Sequence, residues 1–394
     1  MSTNRKVLIT NADYRTGIAV IRTIGRKGIE VVSASHIARA EGFYSKYCKR
    51  KALYTNPDVD LNKFIEDIID LLKKETIDVV LPVGANTSIP FSYYKNELQN
   101  YTRVPVADYD TIVKAHDKSI TTRIAAECGI PIPKTFYPEN TETVRELVNK
   151  LSFPVVIKAR KGTGIFKFVY SEEDLVNAFI EYESQSHRNS IISYYTAPLI
   201  QEFIPGKIHD VCVLFNGGKV RAALTQIRLK TLPPDGGPGV VNMTTNMPEL
   251  KEMAMHLMEK LNWHGVAQVE FKHDPRDNTF KLLEVNPKFW GTTGLSIAAG
   301  MDFPYLLYQM ALDGDVEATF DYRVGLKFRW IFPSEINYLR KSPTKMRDTM
   351  DFLKFCERNS KTDIWLSDIK PNLMQIVSTI YNLISDFRNK LRFR

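Results

Sequence analysis

"FKLLEVNPKFWGTTG", Phe280 to Gly294, opens as a buried strand and ends as something else. After the apolar "FKLL", Glu284 and Asn286 stand two residues apart, followed by Pro287, Lys288 and Gly291. Residues i and i+2 of a strand project from one face, so a carboxylate and an amide point the same way at its end. Upstream, "GVAQVEFKHD" reads as a second strand and Pro275–Asn278 as the turn of a hairpin. With the turn centred between Arg276 and Asp277, Glu270 falls opposite Leu283 or Glu284. Like charges facing each other across a sheet repel, and a cation between them removes the conflict. Oxygen donors with no His or Cys nearby select Mg²⁺ or Mn²⁺ over zinc. A solvated acidic edge of the hairpin is the competing reading.

Magnesium is usually held by one or two carboxylates plus substrate phosphates, so a phosphate cradle is expected elsewhere in the chain. Neither G-x-x-x-x-G-K-[ST] nor G-x-G-x-x-G occurs. What occurs is Lys158 in the strand "PVVIKA", followed by "RKGTG", whose Gly162 and Gly164 let backbone N–H groups approach an anion. Lys118 lies in the preceding segment "TIVKAHDKSITTRIAAECG", which predicts one helix stopped by Gly129 and Pro131. "LIQEFIPG" adds an apolar strand with Gln201, Glu202, Phe203 and Ile204 before a Pro-Gly turn, a setting suited to a purine or to an ordinary core strand.

The order of these pieces carries more than any one of them. Lysine helix, lysine strand with glycine loop, "QEFIPG", Glu270 in "VAQVEF", and "LLEVNPKFWG" together resemble the ATP-grasp superfamily over about residues 1–318, in particular stand-alone proteins similar to the large chain of carbamoyl-phosphate synthase. The resemblance implies ATP between two α+β subdomains. Lys118 and Lys158 would contact its phosphates, the loop around Gly162 and Gly164 would close over them, and Gln201 to Ile204 would hold adenine, with Glu202 near the exocyclic amine. It implies that Glu270, Glu284 and Asn286 hold two magnesium ions, and that Asp210 stands where relatives place a ribose-binding glutamate. The implied chemistry is a carboxylate–amine ligase forming an amide or peptide bond through an acyl phosphate. Arg228 and Lys288 are the candidates for stabilising the oxyanion, and Gly236–Gly239 for a mobile substrate loop. Lys288 stands where the family usually has arginine in E-x-N-P-R, which keeps the charge and loses the bidentate fork. Bicarbonate or carbamate phosphorylation, and a catalytically silent ATP-binding regulatory module, remain as alternatives.

The expected fold is α/β and α+β: an ATP-grasp fold with an N-terminal open α/β (pre-ATP-grasp) domain at 1–112, an ATP-grasp domain at 113–318 with a lid subdomain at about 131–198, and a basic C-terminal extension at 319–394. "NADYRTG" and "PVGANTS" follow predicted strands of the first domain, so Tyr14, Arg15 and Asn86 are placed to touch substrate. The 394 residues exceed one typical core, and 44% hydrophobic with 25% charged residues describe an ordinary globular chain. No apolar run is long enough to cross a bilayer, the first residues do not read as a signal peptide, and the four cysteines match no zinc or redox spacing, so a cytoplasmic protein is expected. Residues 1–50 carry ten Lys/Arg against three acids and residues 321–394 fifteen against eight, around an acidic middle. No nucleic-acid-binding motif accompanies this, which ranks nucleic acid far below small-molecule carboxylate and amine partners. The segment "LMQIVSTIYNLISDFRNKLRFR" predicts an amphipathic helix with Leu373, Ile376, Val377, Ile380, Ile384, Phe387 and Leu391 on one stripe and a basic end. Docking on the protein's own core or a second subunit is favoured over a membrane surface or acidic partner.

Overall fold

The structure, a computed structural model, describes residues 5–162, 166–184, 197–233, 236–354 and 357–392, with 184 and 382–392 by backbone alone. Gly164 therefore lies outside the described residues. Three sheets organise the described residues.

The first is parallel, β1 (Lys6–Ile9), β2 (Glu30–Ser35), β3 (Cys48–Leu53) and β4 (Val79–Leu81) in the order β3-β2-β1-β4. Its central strand is apolar at successive positions because both faces are covered. Val7 and Ile9 pack with Ile21 and Ile24 of the helix Arg15–Arg26, and Leu8 with Phe64 and Ile68 of the helix Leu61–Lys74. The loop after β1 is tight: Asn11 adopts φ 53°, and a Cβ on Gly17 would lie 2.2 Å from the Asn11 carbonyl oxygen.

The second sheet is antiparallel, β5 (Thr135–Phe136), β6 (Val155–Lys158), β7 (Phe166–Val169) and β8 (Leu199–Glu202) in the order β5-β8-β6-β7. It has a small core of its own, including Val155, Ile157, Phe179 and Ile200.

The third runs β13-β12-β9-β10-β11-β14-β15, from β9 (Ile208–Asn216), β10 (Lys219–Thr231), β11 (Gly239–Thr245), β12 (Gly265–Asp274), β13 (Thr279–Asn286), β14 (Lys327–Arg329) and β15 (Ser360–Thr362). The last two strands come from the basic C-terminal stretch, which thus extends the central sheet.

Two expectations change. The segment around Lys118 is two helices, Tyr109–His116 and Lys118–Glu127, because Asp117 is extended and its carboxylate accepts the Ser119 N–H as an N-cap. In the C-terminal helix Lys370–Arg392 the described part of the stripe is not buried on the protein's own core, since Leu373, Val377 and Ile380 are each about half exposed and Ile376 is 37% exposed, so of the two favoured seats the second subunit is the one this part leaves. The side chains of Ile384, Phe387 and Leu391 and the basic end lie outside the described residues.

Candidate active site

The hairpin that opened the sequence reading is shaped by one extra residue. From Asp274↔Thr279 to Phe271↔Leu282 the register follows the turn, and then a bulge between Phe271 and Glu270 shifts it by one. Glu270 therefore pairs with Glu284, and Gln268 with Asn286. Leu283 is the bulged residue, and its carbonyl accepts a long hydrogen bond of 3.4 Å from Lys158 Nζ. Glu270 pairs in turn with Asp210 on β9, and Asp210 with Gln226 on β10. Three carboxylates so form one row across neighbouring strands.

Such a row is costly unless cations offset it. Arg228 donates to both oxygens of Asp210, at 3.1 and 2.6 Å, lies 2.5 Å from Glu270 Oε1, and donates to the Gly237 carbonyl at 2.9 Å. Burial lowers the pKa of this guanidinium, but Asp210 and Glu270 outweigh burial and raise it. Lys118 pairs with Glu284 at 3.1 Å. Asn286 Nδ2 donates to Glu270 at 2.9 Å and to Glu284 at 3.2 Å, standing between the two acids. Burial and the negative charges of Glu284 and Asp210 push the Glu270 carboxyl up despite Arg228. Glu284 is half-buried, and although that desolvation raises its pKa, Lys118 and Lys158 hold it well below the usual carboxylate range.

Arg228, Glu270, Glu284, Asn286, Lys118 and Lys158 form the floor of a cleft of about 410 Å³ between the second and third sheets. Six cations line it, Arg15, Lys118, Lys158, Arg228, Lys272 and Lys288, against three acids, Glu202, Glu270 and Glu284. Burial pulls the Lys158 ammonium down to about 8 and lowers Lys288 as well. A polyanion in the cleft would restore the charge that burial disfavours. The far end is apolar: Phe166, Phe168, Phe203 and Ile204 line it, with Phe168 edge-on to Phe203 at 5.6 Å between ring centroids.

Of the residues expected from sequence, Lys118, Lys158, Gly162, Gln201, Glu202, Phe203, Ile204, Arg228, Glu270, Glu284, Asn286 and Lys288 all line this cleft. Asp210 does not, and that expectation is corrected: the residue is fully buried behind the wall, its carboxylate taken by Arg228 and Gln226, so it is out of reach of a ribose. The Glu202 carboxylate is occupied by the Lys134 N–H, Arg276 and Lys281, and the Glu202 N–H donates to the Lys134 carbonyl at 2.9 Å, so the side chain is not free for recognition. Gly236–Gly239 lines the cleft but is tied by Arg228 to Gly237 O and by Arg15 to Gly239 O. Of the first-domain candidates Arg15 reaches the cleft, whereas Tyr14 lines a side pocket with Val83 and Gly84, and Asn86 is held by Asn11.

Sequence reasoning missed two members. Lys272 follows Glu270 by two on the same strand face, a signal that strand alternation carried. His116, just before the helix break, accepts the Gly162 N–H at 3.0 Å through Nε2 and so anchors the glycine loop. It accepts only while neutral, and burial together with Lys118 lowers its pKa to about 4. A base depressed in the fold contributes stability that is complete above the unfolded value of about 6.5 and lost as pH falls through 4. His116→Gln keeps an acceptor without titrating. Urea unfolding at neutral and acid pH is expected to show the variant losing less stability on acidification, by about 3 kcal/mol; equal losses would mean His116 carries no such linkage.

The donor set fits a hard divalent cation. Two opposed carboxylates and an amide can supply oxygen, with the Asn286 N–H between the acids, Arg228 on Glu270 and Lys118 on Glu284.

Comparison with known proteins places this geometry. Residues 195–332 match the family described as "ATP-grasp in the biosynthetic pathway with Ter operon". The D-aspartate ligase of Enterococcus faecium is 25% identical over 243 residues, 57% of each chain. The carbamoyl phosphate synthase large chain of Methanobrevibacter smithii is 23% identical over 303 residues, 73% of this chain and 27% of that one. The chain thus spans little more than half of the first relative and about a quarter of the second. The D-alanine–D-alanine ligase of Carboxydothermus hydrogenoformans is 28% identical over 76% of this chain and 92% of its own. Among solved structures, biotin carboxylase from Campylobacter jejuni superposes with a TM-score of 0.67 at 16% identity, covering 82% of this chain and 74% of that one. The protein has the ATP-grasp fold. Within that class its sequence resembles carboxylate–amine ligases and the large chain of carbamoyl-phosphate synthase.

Proposed function

We propose that the protein is a cytoplasmic ATP-dependent carboxylate–amine ligase. The observation that carries this reading is the Glu270–Glu284 pair with Asn286, set at the floor of a cleft lined by six cations. Glu270, Glu284 and Asn286 would hold magnesium, one ion or two, which offsets phosphate charge and stabilises the transferring group. Lys118 and Lys158 bind phosphate oxygens, and the Gly162 loop, pinned by His116, covers them. The Phe166–Phe168–Phe203 end and the Gln201–Ile204 backbone take the purine. A substrate carboxylate oxygen bonds to the γ-phosphorus as the bond to the departing ADP oxygen breaks. An amine then attacks the carbonyl carbon, phosphate leaves, and the amine loses a proton, giving the amide. Lys288, with no ion-pair partner among the described residues, is placed to face the oxyanion of that second step.

No described helix is long and apolar enough to cross a membrane. The exposed stripe on the helix Lys370–Arg392 leaves a face for a second copy, an acidic partner or an anionic membrane surface.

The test is ADP release with magnesium and ATP across a screen of carboxylates and amines. Release that requires both a carboxylate and an amine is the expected result. Release driven by bicarbonate alone would favour carbamoyl-phosphate-type chemistry, and nucleotide binding with no release would indicate a silent module.

A further inference from the structure

A second cavity, of about 670 Å³, lies between the helix Arg15–Arg26, the turn at Gly291 and the C-terminal strands β14 and β15. Arg15 and Gly291 line both it and the nucleotide cleft, so the two spaces meet there. A Cβ on Gly291 would lie 2.9 Å from Arg15 Nη2, so any side chain there would have to displace the guanidinium.

The cavity holds two charges that do not pair. Among the described residues Arg15 has no carboxylate partner; its guanidinium lies over the Trp330 ring at 4.6 Å and donates to Gly239 O. Among the described residues the carboxylate of Asp363, from the segment after β15, makes no ion pair; its Oδ1 accepts the Ile331 N–H at 3.1 Å, and its backbone carbonyl accepts from Arg22 Nη1 at 3.2 Å. Arg15 and Asp363 still feel each other's charge, but sit too far apart for an ion pair. The neighbouring Arg22 is consumed by Asp368 and Asn372, and Arg26 and Lys361 are exposed at the rim. The Ser360 hydroxyl, also lining the cavity, is buried without a hydrogen-bond partner. Phe328, Trp330 and Trp365 supply an apolar wall.

Unpaired, partly buried charges of opposite sign in one cavity call for a ligand that carries both. An anion alone would meet Asp363, and an amine alone would meet Arg15. We propose that this cavity binds a free amino acid with a bulky apolar side chain, its carboxylate on Arg15 and its ammonium on Asp363. The carboxylate then lies at the junction with the nucleotide cleft, so the amino acid is the carboxylate substrate and its own ammonium is held away from the reaction. That last step rests on the ligase reading above; the binding itself does not. The basic C-terminal stretch, which supplies β14, β15, Asp363 and Trp365, thereby acquires a role in substrate choice.

The test is thermal unfolding and calorimetric titration of the full chain with the twenty common amino acids and their D enantiomers, with and without a non-hydrolysable ATP analogue and magnesium. The best binder is expected to lose about tenfold or more in affinity on N-acetylation and likewise on conversion of its carboxylate to an amide. Asp363→Asn, which keeps the acceptor for Ile331, is expected to weaken the free amino acid by a similar factor and to leave the N-acetyl derivative unchanged. Equal losses for both ligands would make Asp363 structural and overturn the assignment. The derivative series on the unaltered protein decides the matter if the variant does not fold. Binding of the nucleotide with no response to any amino acid would overturn this inference and leave the ligase reading standing. Binding of an amino acid with the expected derivative losses but without nucleotide binding would do the reverse.

Discussion

Glu284→Gln is expected to lower ATP turnover by about three orders of magnitude while leaving the fold in place. The side chain keeps its volume and an oxygen for the Asn286 amide, but one of the two carboxylates facing each other across the β12–β13 pair is gone. A divalent cation held there would lose one of its two carboxylate ligands, and with it part of the charge neutralisation it would supply to phosphate. Stability responds differently because two effects oppose. Lys118 loses its 3.1 Å partner, which is unfavourable, while Glu270 loses its repelling neighbour, which is favourable. A net change within about 1 kcal/mol is expected from a pair that is only partly shielded from solvent. Steady-state turnover and urea unfolding, measured side by side, separate the two. Loss of activity that merely tracks loss of folded protein would place Glu284 in the scaffold.

Arg228→Met is expected to do the opposite and act first on the fold. Its guanidinium is the one cation hydrogen-bonded to Asp210 among the described residues, and Asp210 is fully buried. Removing one member of a buried, hydrogen-bonded pair leaves an uncompensated charge and costs about 3–5 kcal/mol. The double change Arg228→Met with Asp210→Asn removes both charges and is expected to recover most of that loss. Urea unfolding of the two single variants and the double supplies the cycle. A single-variant loss below about 1 kcal/mol would mean that solvent reaches the pair. This geometry revises the role first assigned to Arg228. Two carboxylates and a carbonyl already occupy it, so it positions Glu270 rather than facing a developing oxyanion.

Much of the site was legible because its parts are local. The alternation that put Glu284 and Asn286 on one face and the turn at Pro275–Asn278 depend on neighbours in sequence. What stayed hidden depends on distant strands. The turn alone left Glu270 opposite either Leu283 or Glu284, and a one-residue bulge made the choice. Asp210 read as a free acid because its partner Arg228 lies on another strand and reaches back two positions along the sheet. The C-terminal extension read as an appendage because β14 and β15 are short, and only pairing with β11 and with each other makes them part of the central sheet. Asp117 broke a helix whose apolar periodicity ran on through it, a capping choice that periodicity does not register.

The central claim is that nucleotide and metal meet at the end of the β12–β13 hairpin. Thermal unfolding with a non-hydrolysable ATP analogue, with and without magnesium, on the unaltered protein and on Glu284→Gln tests it most directly. At about a hundred times its dissociation constant a ligand adds roughly 2.7 kcal/mol, a rise of several degrees in a reversible transition. The account predicts a magnesium-dependent rise in the unaltered protein that Glu284→Gln removes. A rise that is the same with and without magnesium, or that survives the substitution unchanged, would contradict it.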